Sequence, residues 1–186
     1  AYRRTDSRAR LLRSLARAAI PDGVRLIVSV DRAADPRHAA DNAAVRELVR
    51  DIRWPFGSLT IIAHDEPLGL AGNIYFCHSR AAEYGVVVVL EDDLVVGRPF
   101  YVYAQQALAA YAADPRIAGI SLNTLWFNGF THQPFIPLPD ASDTFFLQLS
   151  TPQGQVYTAS MWQDYADWFA SGTSAEAQHL VHPLVS

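Results

Sequence analysis

Four consecutive valines, Val86 to Val89, place the strongest constraint on how this chain folds. Valine is β-branched and favours a strand, and a strand without alternating polar residues is typically covered by protein on both faces. The run VRLIVSV at residues 24–30 has the same character. A sheet that is buried on both faces needs helices on both sides, so these runs predict an α/β domain.

Segments with helical spacing separate the apolar runs. The predicted helices cover residues 3–19, 39–52, 70–84, 97–111 and 161–169, and the predicted strands cover 24–30, 58–63, 86–90, 116–122 and 144–149. This alternation predicts a mainly parallel sheet flanked by helices, with right-handed crossovers. Sheets of this type generally open with a strand before the first helix. We therefore expect the first strand to be missing from this sequence.

Composition argues against several classes of protein. The 186 residues, half of them apolar, suit a single domain over 1–186. The net charge of −4 argues against a nucleic-acid partner, and no apolar run approaches the roughly 20 residues of a membrane span. All 15 basic residues are arginine, which suggests a high-GC bacterial genome. The single Cys77 is compatible with a reducing compartment, so we expect a bacterial, cytoplasmic protein.

Three carboxylates, Glu91, Asp92 and Asp93, directly follow the valine strand. In open α/β sheets ligands bind at the carboxyl ends of the strands, and Asp31 ends another predicted strand. Adjacent carboxylates raise one another's pKa, whereas a divalent cation with oxygen ligands favours their ionised form. The pattern favours Mg²⁺ or Mn²⁺ held by one or two carboxylates and by substrate phosphates. The alternative is that these acids only end the strand and solvate the following turn.

Residues 68–121, LGLAGNIYFCHSRAAEYGVVVVLEDDLVVGRPFYVYAQQALAAYAADPRIAGIS, carry a family resemblance. They resemble the metal-binding core of GT-A nucleotide-sugar glycosyltransferases, especially those related to N-acetylglucosaminyltransferase I and their bacterial relatives. In that family an EDDL stretch after an apolar strand is a variant of the DxD motif. RLLRSLARAAIPDGVRLIVSVD and DTFFLQLSTPQGQVYTASMW resemble flanking parts of these enzymes more weakly. The resemblance implies a GT-A fold, with a donor-binding part at about 1–122 and an acceptor-side part at about 123–186.

The resemblance also implies roles for single residues of the donor site. Asp93 would ligate Mn²⁺ or Mg²⁺ and, through it, the diphosphate of the donor. Glu91 and Asp92 would contact the ribose and the donor sugar or shape the site. Asp31 would hydrogen-bond the nucleobase, typically uracil, and Asn73 would be a further donor contact.

The acceptor side is less well defined. Inverting members of the family use a carboxylate as general base, in a stretch where this sequence departs from the family pattern. The candidates for the base are Asp143, Asp164, Asp167 and Glu176, and each is otherwise an ordinary surface or capping acid. Residues 123–140 form a long aromatic loop in which Trp126 and Phe127 are expected to stack on a sugar, with packing as a lid as the alternative.

The resemblance implies an enzyme, a hexosyl- or N-acetylhexosaminyltransferase. It would move a sugar from a nucleotide-diphosphate donor, most simply a UDP-sugar, to a hydroxyl of a glycan or glycoconjugate with inversion. The alternative within this fold is a truncated or degenerate copy that binds nucleotide-sugar or carbohydrate without catalysis. A signalling receiver domain is a poorer match because the sequence has no lysine, and a carbohydrate-binding module has no need of the acidic triplet.

Overall fold

The computed structural model describes residues 5–124, 127, 131–137, 144–148, 151 and 153–172. Its helices are α1 (Thr5–Leu15), α2 (Ala39–Arg50), α3 (Gly69–Ser79), α4 (Ala81–Tyr84), α5 (Phe100–Tyr111) and α6 (Ala159–Ala170). Its strands are β1 (Leu26–Val30), β2 (Leu59–Ala63), β3 (Val86–Val89), β4 (Ile120–Ser121) and β5 (Gln155–Thr158), and Pro36–His38 is a 3-10 helix. The predicted α/β class is confirmed.

The strands form two separate sheets among the described residues. β1 and β2 are parallel, with Leu26 opposite Leu59. β5 lies between β3 and β4 and is antiparallel to both, so that Val88 and Ile120 both lie opposite Val156. The prediction of a mainly parallel sheet is therefore not confirmed. The antiparallel pairings come from β5, a four-residue strand too short to give a clear period in the sequence.

Several predicted elements differ in length from the observed ones. The predicted helix 70–84 is divided at Arg80 into α3 and α4. The predicted strand 116–122 is reduced to Ile120–Ser121, and residues 144–148 carry no strand. Long periodic segments were thus located well, whereas short strands were not.

Three apolar clusters attach the helices to the sheets. Val30 of β1 packs with Val45 and Val49 of α2. Ala104 and Ala107 of α5 pack with Ile120 and Val156 of the antiparallel sheet. A third cluster joins α1 to the segment that follows β3; it contains Leu11, Leu15, Ala18 and Ile20, with Leu90, Leu94, Val96, Phe100 and Tyr101 packed against them. α1 therefore covers the end of the valine strand.

A cleft of about 450 Å³ lies between β1 and β3. Its lining includes the consecutive residues 26–29 of β1 and 86–89 of β3. Since successive side chains of a strand point to opposite faces, a run of consecutive lining residues means that the edge of each strand borders the cleft. We call this cavity the central cleft.

The strand registers show which backbone groups face the central cleft. The Leu26 N–H donates to the Ser58 carbonyl at 2.9 Å, so alternate residues from Leu26 bond to β2 and the N–H of Ile27 points the other way. The Ala159 N–H donates to the Gly85 carbonyl at 2.8 Å, which by the same alternation turns the N–H groups of Val86 and Val88 away from β5. No backbone hydrogen bond joins β1 to β3 in the described part of the chain.

Hydrogen exchange tests this division of the sheet. The amides of Ile27, Val86 and Val88 should exchange faster than those of their strand neighbours Val28 and Val87, because only the latter are bonded within a sheet. Residue-resolved exchange by NMR at neutral pH would measure this. Equal protection of both groups would mean that the two strand edges are paired and that the central cleft is closed.

Candidate functional site

The three predicted carboxylates form a turn at the carboxyl end of β3. The Leu94 N–H approaches the Glu91 carbonyl at 3.4 Å across the turn. Glu91 and Asp92 line the central cleft, and Asn73 of α3 lines it as well. Asp93 is exposed on the same turn. The structure therefore brings three of the predicted donor-binding residues to one cavity, with the predicted metal ligand beside them.

Arg8 of α1 supplies a positive charge at this turn. Its Nη2 donates to Asp92 Oδ2 at 2.8 Å, and the Arg8 side chain is only 3% exposed, against 27% for Asp92. Burial lowers the pKa of the Arg8 guanidinium, and the hydrogen bond and charge of Asp92 raise it again in part. Its Nη1 is buried and has no hydrogen-bond partner within the described residues. Arg8 is thus held in a largely desolvated position by one carboxylate.

We did not predict a role for Arg8, which is one of six arginines in the predicted helix 3–19. A signal was nevertheless present. Arg8, Leu11 and Leu15 recur at helical spacing, so Arg8 lies on the apolar face. A charged residue on such a face usually has a buried partner.

Glu91 experiences the mutual repulsion that the sequence predicts. Burial raises the pKa of Glu91, and the charges of Asp93 and then Asp92 raise it further. A carboxylate in this environment is stabilised in its ionised form by any cation placed beside it. Among the described residues, the Arg8 guanidinium pairs with Asp92, whose charge raises the pKa of Glu91 less than that of Asp93 does.

No group of three or more His, Cys, Asp or Glu side chains is arranged to hold a metal ion in the described part of the chain. The turn fits a different kind of site. Mg²⁺ and Mn²⁺ are commonly bound through one or two carboxylates, with substrate phosphates and water as the remaining ligands. The exposed Asp93 suits that role, so Mn²⁺ or Mg²⁺ stays a prediction for a cation shared with a diphosphate.

Asp31 lies at the end of β1, but its carboxylate holds the start of α3. Its Oδ1 accepts hydrogen bonds from the N–H groups of Leu68 at 2.8 Å and Arg32 at 2.9 Å, and Oδ2 accepts one from Gly69 at 2.9 Å. A carboxylate there satisfies helix N–H groups that lack partners and complements the helix dipole. The side chain is 4% exposed. Asp31 thus positions the start of α3 and the residue before it. The predicted contact of Asp31 with a nucleobase gains no support from this geometry.

Asn73 belongs to a small polar group, of which Asn73 and Ser29 line the same cleft. The Ser29 hydroxyl donates to Asn73 Oδ1 and lies 2.9 Å from His64 Nε2. The amide nitrogen of Asn73 is then its remaining hydrogen-bonding group for a ligand. Ser29 and His64 were not predicted, because single polar residues in or after an apolar strand carry no pattern. Their shared contact becomes visible only when β1 pairs with β2.

The acceptor-side candidates are not gathered at the turn. Asp164 and Asp167 are exposed on α6, where Gln163 Nε2 donates to Asp167 Oδ1 at 2.7 Å. α6 begins beside Gly85, at the end of β3 opposite to Glu91, and neither aspartate lines the central cleft. Their assignment as general base therefore stays a prediction without geometric support.

The remaining predicted site residues lie in the aromatic loop and near the end of the sequence. Phe127 is 54% exposed and forms an isolated bridge with Pro134, so it is available to a ligand. Trp126, Asp143 and Glu176 lie outside the described residues. The stacking and base roles predicted for them stay predictions.

Comparison of the chain with protein-family models, with curated proteins and with solved structures found no match. Within the described residues, no helix has the length and apolar character needed to cross a membrane. The proposal for function therefore rests on the site and on the resemblance of its residues.

Replacing Asp92 with Asn should destabilise the protein by about 1–3 kcal/mol, because the buried Arg8 guanidinium would lose its counter-charge. Urea unfolding at pH 7 measures this free energy. Asp93→Asn is the matched control, since it also relieves repulsion at Glu91 and leaves the pair between Arg8 and Asp92 intact. The double variant Arg8→Met/Asp92→Asn should recover most of the lost stability. Equal destabilisation by Asp92→Asn and Asp93→Asn would contradict the ion pair.

Replacing Glu91 with Gln should stabilise the protein at pH 7. The pKa of Glu91 is raised in the folded state, so the folded state holds this proton more tightly than the unfolded state does. Stability is therefore lost as the pH rises from the ordinary glutamate pKa of about 4.3 through the folded value. The stabilisation by Glu91→Gln should therefore disappear below that window. Thermal unfolding from pH 3 to 8, with the exposed Glu66→Gln as control, measures it; a gain independent of pH would contradict the electrostatic cause.

Proposed function

We propose that this chain is a metal-dependent glycosyltransferase domain of the GT-A type. It would move a sugar from a nucleotide-diphosphate donor, a UDP-sugar, to a hydroxyl group of a glycan or glycoconjugate with inversion. The observation that carries the proposal is the convergence of Asn73, Glu91 and Asp92 on one cleft at the carboxyl end of β3. In the GT-A sheet that the resemblance implies, ligands would bind at that end of the strands.

Charge supports a diphosphate as part of the ligand. The turn carries three carboxylates and the buried Arg8, and burial together with repulsion by Asp93 and Asp92 raises the pKa of Glu91. A divalent cation bound at Asp93 would offset that repulsion and neutralise charge developing on the leaving nucleoside diphosphate. Arg8 would hold the turn in place through Asp92, and Asn73 would donate a hydrogen bond to the donor.

The proposed reaction exchanges one bond for another at the anomeric carbon of the donor sugar. The oxygen of the acceptor hydroxyl forms a bond to the anomeric carbon of the donor sugar while the bond from that carbon to the diphosphate oxygen breaks. The hydroxyl proton passes to a general base. Asp143, Asp164, Asp167 and Glu176 remain the candidates for that base, and the nucleoside diphosphate leaves.

A binding domain without catalysis is the second candidate. It is favoured by the engagement of the Asp31 carboxylate with three backbone N–H groups and by the position of Asp164 and Asp167 outside the central cleft. Such a protein would bind nucleotide-sugar at the acidic turn and release it unchanged.

Calorimetric titration with UDP should show binding that depends on Mn²⁺. Asp93→Ala should weaken it by at least about tenfold, a loss that even outer-shell changes at metal sites produce. The exposed Asp22→Asn, an acid that does not line the central cleft, is the control and should bind normally. A thermal-shift screen of UDP, GDP, CDP and dTDP sugars with Mn²⁺ then identifies the donor class.

Turnover of the stabilising donor separates the two candidates. Metal-dependent donor hydrolysis or transfer that is lost in Asp93→Ala supports the enzyme. Metal-dependent binding without turnover supports the binding domain. Absence of binding to every nucleotide in the presence of Mn²⁺ would contradict both.

A further inference from the structure

Four arginines converge on a second cavity, on the outer side of α1. Arg10, Arg13 and Arg17 come from α1 and the turn after it, and Arg98 comes from the loop before α5. The cavity has a volume of about 790 Å³, and Ser14, Val95 and Val96 complete its lining. We call it the arginine pocket. It shares no lining residue with the central cleft.

None of these four arginines has an acidic partner among the described residues. Within the described part of the chain, their one side-chain hydrogen bond is from Arg10 Nη2 to Ser7 Oγ at 3.3 Å. Elsewhere in the described chain, arginines such as Arg37 and Arg116 are paired with carboxylates at 2.6 Å. The pocket therefore concentrates four positive charges in a chain whose net charge is −4.

Local helix electrostatics explain only part of this arrangement. Cations near the carboxyl end of a helix are favoured by its dipole, which accounts for Arg13 and Arg17. Arg98 belongs to a different segment, and Arg10 lies further from the helix end. Like charges three or four residues apart on a helix destabilise it by a few tenths of a kcal/mol per pair, so the convergence carries a cost that an anion would relieve.

Backbone contacts hold the two sides of the pocket together. The Val96 N–H donates to Ser14 Oγ at 3.1 Å, and that hydroxyl donates to the Leu11 carbonyl at 2.7 Å. The Ala19 N–H donates to the Arg98 carbonyl at 2.9 Å. The backbone of Arg98 is thereby fixed beside α1 before any ligand arrives, which lowers the ordering cost of binding.

We propose that the arginine pocket binds a phosphate-bearing anion. Arginine recognises phosphate with paired N–H donors and is the preferred residue for such sites. The cavity volume lies within the range of small-molecule sites, about 300–1,000 Å³. The exposed Val95 gives the pocket an apolar rim. Two sources carry this chemistry, a soluble diphosphate and the headgroup of an anionic lipid. The proposal does not depend on glycosyl transfer.

The test compares two variants of equal net charge. Arg13→Gln/Arg17→Gln removes two charges from the pocket, whereas Arg53→Gln/Arg116→Gln removes two exposed charges elsewhere. Inorganic pyrophosphate is titrated by calorimetry in EDTA, so that a metal-dependent site contributes nothing. Cosedimentation with phosphatidylglycerol vesicles, against phosphatidylcholine vesicles, tests the lipid source. Thermal unfolding confirms that both variants fold.

We expect at least one probe to bind the unaltered chain, and the pocket variant to bind it roughly tenfold more weakly or worse, as loss of charge-assisted hydrogen bonds produces. The control variant should retain its affinity. Binding of pyrophosphate identifies a soluble ligand, and binding of phosphatidylglycerol vesicles alone identifies a headgroup. Failure of both probes, or equal losses in both variants, overturns the proposal. Since no nucleotide or metal is present, such a failure leaves the proposed transferase site untouched.

Discussion

The ion pair between Arg8 and Asp92 connects the first helix of the described chain to the turn that carries the candidate chemistry. Arg8 shares the apolar face of α1 with Leu11 and Leu15, and that face packs against the residues around the turn. Burial of this face brings the guanidinium to Asp92, and the 2.8 Å contact in turn limits how α1 can lie. Because α1 separates the central cleft from the arginine pocket, the same docking defines both cavities.

The three adjacent carboxylates of the turn lie in three different environments. Asp92 is bonded to Arg8, Asp93 is exposed, and Glu91 keeps a raised pKa. In the proposed site, a divalent cation and a diphosphate would contribute to the charge balance at this end of the strand.

The sequence predicted best what depends on long local patterns. The valine strand and the helices with clear apolar spacing were located, and Asn73, Glu91 and Asp92 do share a cavity. Contacts between distant segments were not predictable. The antiparallel pairing of β5 joins segments that are far apart in the chain. The capping role of Asp31 depends on a hydrogen bond from Gly69, at the start of α3, to the residue that follows β1. The charge partner of Asp92 lies 84 residues away in the chain.

These contacts also change the meaning of the acidic residues. Consecutive carboxylates look alike in a sequence, yet burial, an arginine and solvent give each a separate role in the folded chain. Asp31 resembles them in the sequence and serves a helix instead. Position at a strand end therefore indicates where a ligand site lies, and only the surrounding hydrogen bonds decide which acids remain available to it.

The central claim is that the turn at Glu91–Asp93 binds a divalent cation together with a nucleoside diphosphate. Crystals grown with Mn²⁺ and UDP, measured at the manganese absorption edge, test it most directly. The account predicts an anomalous peak at coordination distance from the Asp93 carboxylate, bridged to the diphosphate at the mouth of the central cleft. Bound UDP with its manganese away from the turn would contradict it.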